Sequence, residues 1–214
     1  MKKKGLLVII SGFSGVGKGT VINSLLNCYA DLYSFSVSAT TRAPREGETH
    51  GKEYFFLTRE EFEQLIQEKK LIEYARYVEN YYGTPEEYVF QKLEQGQNVI
   101  LDIEYQGALQ VKKKYPEALL IFLIPPDIAT LRSRLSARGT ETGEQIQDRM
   151  KRALEEVEVV DQYECILVNR DLDVCVQDMH RVINNPSLAE EYRSSNLALA
   201  RHLKDDIERM IKGE

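Results

Sequence analysis

Directly after the apolar run Leu6-Leu-Val-Ile-Ile10 stands Gly12-Phe-Ser-Gly-Val-Gly-Lys-Gly-Thr20. The glycines let a loop curl so that backbone N–H groups converge on anionic oxygens. A following helix N-terminus adds its dipole, and Lys18 supplies a mobile positive charge. This is the chemistry of a phosphate-binding loop, expected to engage Gly12, Phe13, Ser14, Gly15, Val16, Gly17, Lys18, Gly19 and Thr20. A buried strand before it and the helical pattern Val21, Ile22, Leu25, Leu26 after it supply the context such a loop requires. The position after Lys18, commonly a Ser or Thr whose hydroxyl meets Mg²⁺, is Gly19, and the hydroxyl comes one residue later at Thr20. The loop therefore argues more strongly for triphosphate binding than for metal ligation of its own.

A second chemical signal is arginine. Arg42 and Arg45 stand three apart around a proline, and Arg132, Arg134, Arg138, Arg149 and Arg152 form another group. Forked guanidiniums converging on one phosphate explain Arg42 and Arg45 better than a solvated face does. The net charge of −6 excludes a general nucleic-acid binder, which needs a basic face. Local arginine clusters in an acidic chain suit a small, highly charged ligand. Cys28, Cys165 and Cys175 are odd in number and lack metal-ligand spacing, as do His50, His180 and His202, so reduced thiols in the cytoplasm are expected and no metal site of side chains alone. The longest apolar run, 118–124, is too short for a bilayer span, and the lysines at 2–4 precede an apolar stretch too short for a signal peptide.

The elements that must position these groups alternate. Strands are expected at Leu6–Ile10, Ser34–Ser38, Tyr54–Leu57, Ile72–Tyr77, Tyr81–Tyr82, Asn98–Asp102, Leu119–Ile124 and Cys165–Val168. Helices are expected from Gly17 to about Cys28, from Thr58 with Glu61 closing a capping box, over Pro85–Gln95 and Leu109–Tyr115, from Pro126 with Ile128, Leu131 and Leu135 facing the core, and over about Glu144–Val160. Asn184-Asn-Pro186 is a break, and a polar helix packed on the domain follows. The alternation predicts an α/β fold with a parallel sheet covered on both faces, in one domain.

The segment Val37-Ser-Ala-Thr-Thr-Arg42-Ala-Pro-Arg45-Glu-Gly-Glu-Thr-His-Gly51-Lys-Glu-Tyr54 closely resembles the signature of guanylate kinases. The phosphate loop, Tyr81-Tyr-Gly83-Thr84, Leu101-Asp-Ile-Glu104 and Arg138-Gly-Thr-Glu-Thr142 extend the match, in order, over most of the chain. The resemblance implies a P-loop core (1–36, 98–125 and 161–185), a GMP-binding subdomain (37–97), a helical lid (126–160) and a C-terminal helix (186–214). It implies transfer of the γ-phosphoryl of Mg-ATP to GMP, and to dGMP. By the same resemblance Arg42, Arg45, Tyr54 and Tyr82 hold the GMP phosphate, and Ser38, Glu73, Thr84 and Glu104 read guanine. Thr84 stands where Ser is frequent and Glu104 where Asp is frequent; both keep the chemistry.

The residue types agree with these roles. Guanine offers two parallel donors, N1–H and an exocyclic amine, which a carboxylate such as Glu73 accepts, whereas adenine presents a lone pair there. Composition alone would read Glu73 as a surface charge and Tyr54 and Tyr82 as half-buried strand tyrosines. A phosphate acceptor is already ionised, so no general base is required, and catalysis is expected from Lys18, Arg45, Arg134, Arg138 and Arg149 by positioning and charge stabilisation. Arg132 and Arg152 read as solvated-face arginines. Asp102 is expected to organise water around Mg²⁺, with a strand-end cap as the alternative, and Asn169 to lie near adenine. Two rival readings stay open: a binding module of the same fold without catalysis, and a kinase of another phosphate acceptor. Oligomeric state is not readable.

Overall fold

The computed structural model describes residues 4–77, 79–136 and 143–212. Its core is a five-stranded, all-parallel sheet in the order β2 (Tyr33–Phe35), β7 (Asn98–Asp102), β1 (Leu7–Gly12), β8 (Leu119–Ile124), β9 (Cys165–Val168). Every residue of β1 and β8 is buried, as expected of central strands covered on both faces. The covering helices are α1 (Lys18–Cys28), α3 (Glu86–Glu94), α4 (Tyr105–Lys114), α5 (Ile128–Ser136), α6 (Gly143–Glu158), α7 (Leu172–Asn184) and α8 (Ala189–Lys212).

A second sheet, β4 (Phe55–Phe56), β3 (Ala39–Thr40), β6 (Asn80–Pro85), β5 (Leu71–Tyr77), is mixed and carries α2 (Arg59–Gln67). Thr58 and Glu61 form the expected capping box at the start of α2. This sheet has a small apolar cluster of its own, with Ala39, Phe62 and Leu71 buried.

The expected strand Ser34–Ser38 divides. Tyr33–Phe35 pairs with β7 in the core sheet, the Ser36 N–H still donates to Ile100, and the chain then crosses to the second sheet at Ala39. A single run of strand-forming residues thus serves two sheets. Helix α7 has no counterpart among the expected elements; it buries Cys175, Val176, Met179, Val182 and Ile183. Helix α8 packs on β9 and α6, burying Ala189, Ala200, Leu203 and Ile207. No described helix is long and apolar enough to cross a membrane.

Candidate active site

The carboxyl ends of the parallel strands converge where an open α/β sheet holds its ligands. Gly12 ends β1, Asp102 ends β7, and Asn169 follows β9. Between β1 and α1 the phosphate loop is anchored by two fully buried side chains, Phe13, packed edge-on to Phe122, and Val16. Gly17, the N-cap of α1, has φ of 95°, and a Cβ there would lie 2.9 Å from Asn169 Nδ2, so glycine is required twice over. No side chain caps α1 and its first turn holds no acidic residue. The first-turn N–H groups of Lys18, Gly19 and Thr20 thus have no intrahelical acceptor, an arrangement that suits an anion. Lys18 Nζ donates to the Gly12 carbonyl at 3.0 Å, folded back over the loop.

Behind the loop, Asn169 Nδ2 and Arg134 Nη1 both donate to the Val16 carbonyl, at 2.8 and 3.0 Å, and Arg134 Nη2 donates to the Asn169 carbonyl at 3.0 Å. Arg134, expected on the transferring phosphoryl, here braces the loop. Arg149 lies partly exposed on α6, and Arg138 lies outside the described residues.

The second anion site belongs to the small sheet. The register Thr40↔Tyr82 between β3 and β6 sets Tyr82 beside the start of the Arg42 loop. The Arg42 guanidinium lies over Tyr54, 5.5 Å from the ring centroid, and Tyr54 and Tyr82 meet edge to face at 6.1 Å. The sequence alone gives no role to Glu48. Its two carboxylate oxygens accept Arg42 Nη1 and Nη2, each at 2.9 Å, and one also accepts the Arg45 N–H at 2.7 Å. The hydrogen bonds that Arg42 donates to Glu48 are the leading cause holding the Arg42 pKa above its ordinary value, and the same bonds are the leading cause lowering that of Glu48. The Arg45 side chain is exposed.

Glu73 occupies a β-bulge. Leu71 pairs with Pro85 and Tyr74 with Gly83, so Ile72 and Glu73 together face Thr84 alone. The extra residue breaks the in–out alternation: Leu71, Ile72 and Glu73 are all buried, with Glu73 at 7% exposure. Thr84 Oγ1 donates to Glu73 Oε1 at 2.7 Å. The first turn of α4 approaches so closely that a Cβ on Gly107 would lie 2.9 Å from Glu73 Oε2. Desolvation raises the pKa of Glu73, and the Thr84 hydroxyl partly offsets this. Among the described residues this buried carboxylate shows no ion pair, and such a group is suited to a ligand that brings donors. Ser38 lies partly buried just before β3, and its carbonyl accepts the Phe55 N–H at 2.8 Å.

Glu104, the N-cap of α4, is more exposed and pairs with Arg152, Nη2 to Oε1 being 2.7 Å. Arg152, expected as a solvated arginine, instead reaches both Glu104 and Glu156. Glu156 is a further residue the sequence did not mark: it is 5% exposed and accepts the Ser14 N–H of the phosphate loop at 2.8 Å. Burial pushes its pKa up to about 7, against the opposing pull of Lys18 and the Ser14 N–H. Asp102 remains open to solvent along the cleft, yet the crowding around it raises its pKa by desolvation, with the Lys18 charge acting the other way. No group of three or more His, Cys, Asp or Glu that could hold a metal is found among the described residues.

With this geometry described, comparison with known proteins identifies the family. Residues 4–186 match the family model described as guanylate kinase. The chain is 46% identical over 198 residues to the guanylate kinase of Bacillus subtilis, covering 92% of this chain and 95% of that one. It is 49% identical over 191 residues to that of Oceanobacillus iheyensis, covering 89% and 92%. The crystal structure of guanylate kinase from Anaplasma phagocytophilum aligns with a TM-score of 0.65 at 30% identity, over 86% of each chain. The chain belongs to the guanylate kinase family.

Proposed function

We propose that this chain transfers the γ-phosphoryl group of Mg-ATP to GMP, and also to dGMP, with the phosphate loop and Lys18 holding the donor and the small sheet holding the acceptor. The observation that carries the choice of base is Glu73: a carboxylate at 7% exposure, raised in pKa, that accepts the Thr84 hydroxyl. Guanine N1–H and its amine satisfy that carboxylate, while adenine leaves it unpaired, a difference in the range where discrimination is large. Ser38 and Glu104 complete the reading of the base.

Arg42, Arg45, Tyr54 and Tyr82 hold the acceptor phosphate. Glu48 supports this assignment, because a carboxylate seated on a forked guanidinium and a backbone N–H uses bond directions that a phosphate also uses. The acceptor oxygen is already ionised near neutral pH, so the protein's task is alignment and charge stabilisation. Lys18, Arg45, Arg134, Arg138 and Arg149 are assigned to that task, the last three from the helical segment 126–160 taken as a lid. Arg134 can serve only by leaving the Val16 and Asn169 carbonyls, or by fixing the loop that binds the donor. Asn169, at the end of β9, is placed against adenine.

The donor set suits Mg²⁺: the Asp102 carboxylate at the end of β7 and the Thr20 hydroxyl are hard oxygen donors, and this ion takes one or two carboxylates and otherwise waters and phosphates. When bound it neutralises charge on the β- and γ-phosphates. Three unpaired cysteines and an acidic net charge support a cytoplasmic enzyme acting on free nucleotides rather than on nucleic acid.

The test is ADP release with Mg-ATP and GMP, dGMP, AMP, UMP or a sugar phosphate offered separately, against a control without acceptor. Turnover with GMP and dGMP alone is expected, with slow ATP hydrolysis in the control because water is excluded from the reacting centre. Turnover with another acceptor overturns the base assignment, and no turnover from folded, ATP-binding protein overturns the enzyme assignment.

A further inference from the structure

Helix α4 belongs to both halves of the molecule. Its Ala108 and Val111 are buried in the main core, and just ahead of it the Ile103 carbonyl accepts the Ser11 hydroxyl of β1 at 3.0 Å. The same helix reaches the small sheet at two points. Gly107 stands against the Glu73 carboxylate, and Lys114, seven residues on and thus on the same face, donates from Nζ to the Leu71 carbonyl at 3.3 Å. Lys114 also pairs with Glu86 at the start of α3, at 3.0 Å. The helix therefore meets β5 on either side of Ile72, at the bulge that turns Glu73 inward.

The Glu73 carboxylate is confined from two sides. The fully buried Thr84 donates from Oγ1 to Oε1 at 2.7 Å, and the other oxygen, Oε2, faces Gly107. A Cβ at position 107 would lie 2.9 Å from Oε2 and 3.4 Å from both Glu73 Cδ and Ile103 Cδ1, so of these three neighbours Oε2 is the one that would have to move. Ordinary contact begins at 3.4 Å, which sets the displacement at about half an ångström, the tolerance within which a binding constellation keeps its geometry. The backbone itself does not call for glycine here. Gly107 lies in the first turn of a regular helix, outside the left-handed region, where alanine is the better helix former. What glycine supplies at this position is room for the carboxylate.

We propose that Gly107 is a positioning residue for the choice of base: its missing Cβ lets Glu73 sit back against α4, with Thr84 on the other side, at the depth where the carboxylate accepts both donors of guanine. The inference rests on the assignment of Glu73 to guanine. Its consequence is that a core helix sets the base preference, so the preference can be changed while Glu73 and Thr84 are both kept.

The experiment measures kcat/KM for GMP and for inosine monophosphate, which keeps N1–H but lacks the exocyclic amine, with the KM for ATP and the melting temperature. The proteins are the full-length wild type, Gly107→Ala, Glu73→Ala and the double variant. Gly107→Ala should lower kcat/KM for GMP by about 10-fold, chiefly through KM, and narrow the preference for GMP over inosine monophosphate, as weakening of a hydrogen bond to a charged group does. Its KM for ATP should stay within about two-fold and its melting temperature should not fall. In the Glu73→Ala background, with no carboxylate left to displace, the same Gly107→Ala step should change kcat/KM for GMP by less than about two-fold. A purely structural role would lower both substrates by one factor and act equally in both backgrounds; either result overturns the proposal. Where Gly107→Ala alone does not fold, the double variant is expected to fold because the crowded oxygen is gone, and failure of both overturns the proposal as well. Glu73→Gln separates the two failures. If it leaves the preference for GMP unchanged, the assignment of Glu73 is wrong; if it narrows the preference while Gly107→Ala does not, the role of Gly107 alone is wrong.

Discussion

The two anion sites proposed for this chain are built from different material. The donor site is made of backbone: N–H groups of a loop and of the first turn of α1, pinned by Phe13 and Val16 in the main core and braced by Asn169 and Arg134 from behind. The acceptor site is made of side chains, Arg42, Tyr54 and Tyr82, carried on a sheet in which β3 and β4 have two residues each. A backbone site is set by the fold itself and needs no counter-ion to hold its shape. A side-chain site on a small support needs a local partner, and Glu48 supplies it by holding Arg42 from two directions. The contrast implies that the donor site fails through geometry and the acceptor site through charge. It also implies that the acceptor sheet, with only three buried apolar residues in its own cluster, opens at lower free energy than the core.

The largest expected effect lies at the donor site. Lys18→Ala should lower kcat by about 10²–10³-fold or more, as loss of a charged group acting on the transition state does. Its melting temperature should stay close to that of the wild type, because among the described residues the Lys18 side chain makes one hydrogen bond, to Gly12. Steady-state kinetics beside a thermal melt checks both. At the acceptor site, Arg42→Ala should reduce kcat/KM for GMP by about 10- to 100-fold, the value of a charge-assisted hydrogen bond, and leave the KM for ATP within about two-fold. A comparable rise in both KM values would erase the distinction between the sites.

A third prediction concerns pH. The folded-state pKa of Glu156, about 7, is raised above its ordinary 4.5, so the native state binds the proton more tightly than the unfolded chain does. The stability associated with this group is complete below the ordinary pKa and is lost as pH rises toward 7. Glu156→Gln keeps an acceptor for the Ser14 N–H and cannot ionise. It should therefore gain stability over the wild type as pH goes from 5 to 8, by on the order of 1–3 kcal/mol, read from denaturant midpoints across that range. The smallest effect belongs to the acceptor sheet. Thr58→Ala, which breaks the capping box of α2, should cost about 1 kcal/mol and speed amide exchange in α2 before the core strands.

Much of the donor half was legible because its signals are local. An apolar run, a glycine-rich loop and a helical pattern lie within the first 28 residues, and β9 begins and ends where its own apolar run does, at Cys165 and Val168. The acceptor half was legible mainly through resemblance. Two of its strands have two residues each, too short for periodicity, the 34–38 run divides between two sheets, and the bulge that turns Glu73 inward depends on how β5 pairs with β6, where Thr84 stands eleven residues on. Helix α7 was missed because its buried face mixes Cys175 and Met179 with β-branched residues between polar ones. Glu156 was hidden for a tertiary reason: adjacent to Glu155 in a charged helix, it looks like surface until α6 sets it against Ser14. Glu48, seen within the signature without a role, acquires one only from the fork it grips.

The account stands most directly on Glu73. The decisive measurement is kcat/KM for GMP and for AMP, with the dissociation constant for ATP, in the wild type and in Glu73→Gln. Loss of the buried charge should cut GMP turnover by about 10²-fold or more, narrow the preference of GMP over AMP, and leave ATP binding within about two-fold. Equal losses for GMP and ATP, or an unchanged preference for GMP, would contradict the reading of guanine by this carboxylate.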